Sequence, residues 1–167
     1  MNTSATLFHP DHQELGLLQL HSLDDTDRLA AALNTHLPPQ ACVGLVGTLG
    51  VGKTRLVQAF AQSLGLDGGD VTSPTFTMLQ QYAAERRLYH LDAYRIADED
   101  ELWELGVEEL FEEAAVMMIE WADRFADCMP RETLWLRMRM GEADSRLVQI
   151  SGLSSWSPIV EDVLTSM

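Results

Sequence analysis

Lysine is all but missing from this chain. Of its 11 basic residues ten are arginine, and Lys53 is the only lysine in 167 residues. Cations are scarce altogether, since 26 Asp and Glu against 11 Lys and Arg leave a net charge of −15 and a pI of about 4.5. A surface this acidic repels phosphate backbones and makes the chain a poor candidate for broad contact with nucleic acid; another subunit should hold any such partner. Cysteine is sparse too. Cys42 and Cys128 lie far apart, show no metal-ligand spacing, and suit a reducing cytoplasm, with Cys42 read as a packing residue. Long apolar runs are absent: the longest, Ala114 to Ile119, is far short of a membrane-spanning helix. Met1 to Asp11 has neither a basic n-region nor an apolar core, so no secretory signal is expected.

The lone lysine stands in Gly47-Thr48-Leu49-Gly50-Val51-Gly52-Lys53-Thr54, which fits the Walker A pattern of Gly, four free positions, Gly, Lys and Ser/Thr. Ala41 to Val46 before it reads as a short buried strand, and Lys53 to Leu64 after it as an amphipathic helix. The glycines allow successive N–H groups to turn inward around a phosphate. The helix start adds unsatisfied N–H groups and the positive end of its dipole. Lys53 is placed to reach the β- and γ-phosphates, and the Thr54 hydroxyl to bind Mg²⁺. Lysine only here, among arginines everywhere else, points to a position that needs a compact ammonium. Guanine-reading loop proteins carry Asn-Lys-x-Asp, which a chain with no second lysine cannot contain; adenine nucleotides are favoured.

Along the chain, Met1 to His12 is read as a loose polar extension and residues 13–167 as one domain. Leu15 to Leu20 predicts a first strand, and Ser22 with Asp25 an approximate capping box opening a helix that Pro38-Pro39 closes off. Pro74 argues against a central strand over 71–76. Thr77–Ala83 and Arg87–Tyr94 predict a hairpin around Ala84-Glu85-Arg86, with Arg86 and Arg87 read as a solvated turn. Asp98 to Glu101 opens an acidic helix with a break at Gly106, and Ala115–Glu120 is a second buried strand. Thr133–Met140 and Arg146–Leu153 alternate as strands, and a short helix follows from Pro158. The expected class is α/β, a mixed sheet with helices on its faces.

A phosphate loop of this kind needs a carboxylate at the end of a neighbouring strand to hold Mg²⁺. Asp92, after Leu88-Tyr89-His90-Leu91, and Glu120, after Val116-Met117-Met118-Ile119, both qualify. Thr72, Ser73 and Thr75 around Pro74 are candidates for a loop closing on the γ-phosphate. Asp123-Arg124 reads as a surface ion pair in preference to a catalytic arginine.

Taken in order, the loop at 47–54, Ser73-Pro74-Thr75-Phe76, His90-Leu91-Asp92-Ala93-Tyr94-Arg95 and Glu120-Trp121, with Thr26 on the first helix, resemble the bacterial TsaE (YjeE) ATPases over about Leu20 to Ile150. The resemblance implies a single-domain P-loop NTPase fold, with ATP and Mg²⁺ as cofactors. It implies a cytoplasmic accessory subunit in forming threonylcarbamoyladenosine next to the anticodon of tRNAs that read codons beginning with A. Partners would be TsaB- and TsaD-like proteins, with TsaD transferring the threonylcarbamoyl group, slow ATP hydrolysis resetting the complex, and tRNA met only through it. By position, Gly47, Thr48, Leu49, Gly50, Val51, Gly52, Lys53 and Thr54, and Arg55 through its backbone, would cradle the nucleotide. Thr54 and Glu120 would be metal ligands, with Asp92 assisting through water or positioning the attacking water; Lys53, Asp92 and Glu120 would be the catalytic set. Thr75 would belong to the switch-like loop and Trp121 would pack beside the nucleotide. The family usually has Asp where Thr48 stands and often Thr where Arg55 stands, a loss of acid that bears on hydrolysis more than on binding. Two rival readings use the same motif: an ATP-gated protein-binding module with incidental turnover, and a small-molecule P-loop kinase, which an absent arginine-rich lid disfavours.

Overall fold

The computed structural model describes residues 8–72 and 78–167. Seven strands, β1 (Gln13–Leu20), β2 (Ala41–Val46), β3 (Leu79–Tyr82), β4 (Leu88–Asp92), β5 (Val116–Glu120), β6 (Leu134–Met140) and β7 (Arg146–Gly152), form one sheet in the order β1-β7-β6-β2-β5-β4-β3. The middle strands β6, β2, β5 and β4 are parallel, whereas β7, β1 and β3 add antiparallel edges. The central β5 is buried along its whole length, as its unbroken apolar run Val116 to Ile119 requires of a strand covered on both faces.

Side-chain alternation divides the interior into two cores. On one face α1 (Leu23–His36), α2 (Lys53–Ser63) and α5 (Ser157–Thr165) set Leu29, Leu33, Leu56 and Phe60 against Val43, Leu45 and Met118. On the other, α3 (Glu99–Glu104), α4 (Val107–Phe111) and a 3-10 stretch at Ala122–Cys128 cover Tyr89, Leu91, Met117, Ile119 and Trp135. Gly44 is needed in β2 because a Cβ there would lie 2.7 Å from the Trp135 ring. Cys42 packs on this second face, and burial pushes its thiol up to about 12.

The capping signals hold. The Ser22 hydroxyl accepts from the Asp25 N–H at 3.1 Å, and the Asp25 carboxylate accepts from the His21 N–H at 2.8 Å, one residue earlier than in the ideal box. Asp98 caps α3 through the Glu101 N–H at 2.9 Å, and the acidic helix breaks at Gly106 as expected. Arg86 differs from expectation. Instead of standing in solvent at the hairpin tip, its guanidinium donates to the main-chain oxygens of Asn34 and Leu37, both at 2.9 Å, and of Pro38. It thereby satisfies carbonyls at the end of α1 that have no partner within the helix. Arg87 does lie at the surface, paired with Glu113 at 2.7 Å. Of the extension expected over residues 1–12, the described part is seated on the domain: Phe8 stacks on Trp135 with centroids 3.9 Å apart, and His12 Nε2 meets the Arg131 oxygen at 2.8 Å.

Candidate functional site at the carboxyl ends of the parallel strands

β2 ends at Val46 and the chain turns through Gly47–Gly52 into α2. Gly47 cannot carry a side chain, since its Cβ would fall 2.5 Å from the Met138 oxygen of β6. Gly52 opens α2 at φ +117°, a backbone region that only glycine enters at low cost. Lys53 is the first residue of that helix and is only 4% exposed. Its ammonium donates to the oxygens of Gly47 at 2.6 Å and Thr48 at 3.0 Å, and lies 4.0 Å from the centroid of the Trp121 ring. Burial pushes its pKa down, against the opposing pull of the Glu120, Asp92 and Asp123 carboxylates.

The acids arrive from the neighbouring strands. β4 and β5 pair with Asp92 opposite Glu120, so two carboxylates stand side by side at the strand ends. Glu120 is 3% exposed. The Thr54 hydroxyl donates to its carboxylate, with Oγ1 at 2.8 and 2.9 Å from the two oxygens, and His90 Nε2 lies 2.8 Å from Oε1. Asp92 accepts from the Tyr94 N–H at 2.9 Å. At Trp121 the backbone passes through the left-handed region, φ +58°, which turns the chain off the sheet and lays the indole against Tyr94, centroids 4.9 Å apart. Among the described residues no three His, Cys, Asp or Glu side chains form a metal cage. Thr54, Glu120 and Asp92 are hard oxygen donors, the kind Mg²⁺ takes one or two of beside phosphate oxygens.

A cleft of about 320 Å³ collects most of the expected residues: Leu49, Gly50, Gly52, Lys53, Thr54, Asp92, Glu120 and Trp121. Gly47, Thr48 and Val51 are not among its lining residues; the Thr48 oxygen holds Lys53 and the Val51 N–H, and Val51 is buried. Thr75, with the rest of 73–77, lies outside the described residues. Arg55 contributes more than backbone: its side chain borders this cleft and pairs with Asp27 of α1. The Asp123–Arg124 pairing is replaced by another contact, because the Arg124 guanidinium donates to the main-chain oxygens of Ala93 and Tyr94 and ties the two strand-end loops together.

Two features escaped the sequence reading. A second cleft, about 440 Å³, lies across the loop from the first and is lined by Leu20, Leu23, Thr26, Val51, Met138 and Arg146, sharing Gly50, Gly52 and Arg55 with it. His90 was the other, although its place two residues before Asp92 put it on the same strand face.

The fold and the glycine loop between β2 and α2 define an α/β protein of P-loop type. Crystallised YdiB of Bacillus subtilis has the same fold, with a TM-score of 0.75, covering 92% of this chain and 96% of that one at 24% identity. The sequence profile described as "Threonylcarbamoyl adenosine biosynthesis protein TsaE" matches residues 20–148, and the chain belongs to the TsaE family. The tRNA threonylcarbamoyladenosine biosynthesis protein TsaE of Treponema pallidum is 33% identical over 130 residues, 78% of this chain and 96% of that protein. The Bacillus subtilis protein of the same name is 32% identical over 133 residues, 79% of this chain and 82% of that one. Among the described residues no helix is long and apolar enough to cross a membrane.

Proposed function

We propose that this protein is a Mg²⁺-dependent, ATP-binding and weakly hydrolysing accessory subunit for tRNA threonylcarbamoyladenosine formation, working in the cytoplasm with TsaB- and TsaD-like partners. The observation that carries the reading is the meeting of Thr54 from the loop helix with Glu120 from β5, at 2.8 Å, beside the buried ammonium of Lys53. Loop N–H groups and the start of α2 bind phosphate oxygens, and Lys53 neutralises the terminal ones. Thr54 and Glu120 hold Mg²⁺, which when bound offsets charge on the phosphates. Asp92, next to Glu120 and accepting from the Tyr94 N–H, orients the attacking water. The second cleft, apolar through Leu20, Leu23 and Met138, takes the adenosine end across the loop. The net charge of −15 fits a subunit that meets tRNA only through its partners.

Reconstituted tRNA modification tests this, run without the protein, with it, and with Lys53→Ala. Multiple-turnover product that needs the wild-type protein and fails with the variant supports the reading; full product without the protein overturns it. A second reading, an ATP-gated docking module with incidental turnover, draws on Leu49 and Tyr94, which stand 85% and 55% exposed at the cleft mouth. It is favoured if a non-hydrolysable ATP analogue supports repeated rounds as well as ATP does.

A further inference from the structure

β4 carries at its centre a histidine that the roles above leave unused. His90 is 0% exposed and alternates with Leu88 and Asp92 on the sheet face that meets α2. Its Nε2 lies 2.8 Å from Oε1 of Glu120, within reach for an imidazole N–H to donate to the carboxylate. The other ring nitrogen, Nδ1, is buried and has no hydrogen-bond partner among the described residues. A leucine would fill such a position without leaving a polar atom unsatisfied, a cost that a buried imidazole incurs. Among the described residues the ring is thus held by one polar contact, and that contact is to Glu120.

Glu120 needs such a hold. Among the described residues the other hydrogen-bond partner of its carboxylate is the Thr54 hydroxyl, which donates toward both oxygens and is itself set aside as a metal ligand in the reading above. We propose that His90 is a positioning residue: its Nε2–H anchors Oε1 of Glu120, so that the carboxylate keeps its place in the cleft when the Thr54 hydroxyl turns away from it. The inference rests on the metal-and-nucleotide reading above. Partners of this kind typically tune metal affinity by about 10- to 100-fold.

The test uses the full chain and its His90→Leu, His90→Gln and His90→Asn variants, with Mn²⁺ uptake read by electron paramagnetic resonance under a saturating non-hydrolysable ATP analogue. Nucleotide affinity in EDTA and thermal melting are measured alongside. His90→Leu is expected to weaken Mn²⁺ binding by about 10- to 100-fold with nucleotide affinity in EDTA unchanged. Gln, whose amide reaches the Nε2 position, restores most of it; Asn, whose amide stops at the Nδ1 position, does not. Wild-type protein that takes up no Mn²⁺ with the analogue overturns the nucleotide reading and this inference with it. Wild-type uptake with His90→Leu unchanged, or Gln and Asn equally impaired in step with their melting temperatures, overturns the inference alone. If the leucine variant does not fold, the contrast between Gln and Asn decides.

Discussion

The parallel strands β2, β5 and β4 have two very different ends. At their carboxyl ends Lys53 and Glu120 are buried, and the backbone passes through positive φ at Gly47, Gly50, Gly52 and Trp121. At their amino ends Ala41, Val116 and Leu88 are buried and apolar, and the polar groups nearby stay at the rim. There Arg86 closes α1, Arg87 pairs with Glu113, and Gln40 donates to the Phe111 oxygen at 2.6 Å. The same three strands therefore exclude charge from the interior at one end and gather it at the other. Burying charge is unfavourable unless it is paired and hydrogen-bonded, so the end that accepts that cost is the candidate for a functional site.

The sharpest way to break this contrast is to remove the charges at the site. Lys53→Ala and Glu120→Gln should each lower steady-state phosphate release by about 100-fold or more, while Arg86→Ala leaves it unchanged. Unaltered turnover in both site variants would erase the distinction between the ends. Gly47→Ala comes next: its Cβ 2.5 Å from the Met138 oxygen forces the loop off β6. A loss of about 1–3 kcal/mol in urea unfolding is expected, together with weaker nucleotide binding by calorimetry.

At the other end, Arg86→Ala should cost about 1–3 kcal/mol by the same unfolding measurement, because carbonyls at and just past the end of α1 lose their donor, with nucleotide affinity untouched. The smallest effect is at Glu113, where the Tyr89 hydroxyl and then Arg87 hold the carboxyl below its ordinary 4.5. A depressed carboxyl adds stability above its unfolded value and loses it as pH falls through the folded one. Glu113→Gln should therefore melt slightly below wild type at neutral pH and match it well below pH 4.5; a gap that persists in acid would assign the effect to packing.

Much of this was legible in the sequence because it is local. The loop glycines, the strands leading into Asp92 and Glu120, and the caps at Ser22 and Asp98 each declare themselves within a few residues. Arg86 was misread for the opposite reason: its acceptors lie 48 to 52 residues away, and a basic residue at a hairpin tip carries no sign of them. Arg124 misled in the same manner, its main-chain acceptors being on the β4 loop and not on adjacent Asp123. The second cleft is assembled from β1, α1, the loop, α2, β6 and β7, and no single stretch announces it. His90 was hidden by an apolar strand, in which one imidazole looks like filling until its neighbour across the ladder is known.

One further consequence follows from how β4 lies along β5. Leu88 faces Val116 at one end and Asp92 faces Glu120 at the other, four steps or about 13 Å along the strand. A shift of β4 by a single position would point His90 and Asp92 into the opposite layer of the molecule. Such a chain could still possess every helix and strand yet be chemically silent. The Arg87 oxygen that receives the Val116 N–H at 3.0 Å is therefore part of the index mark that aligns the acids, and errors in folding at the quiet end would surface as inactivity at the busy one.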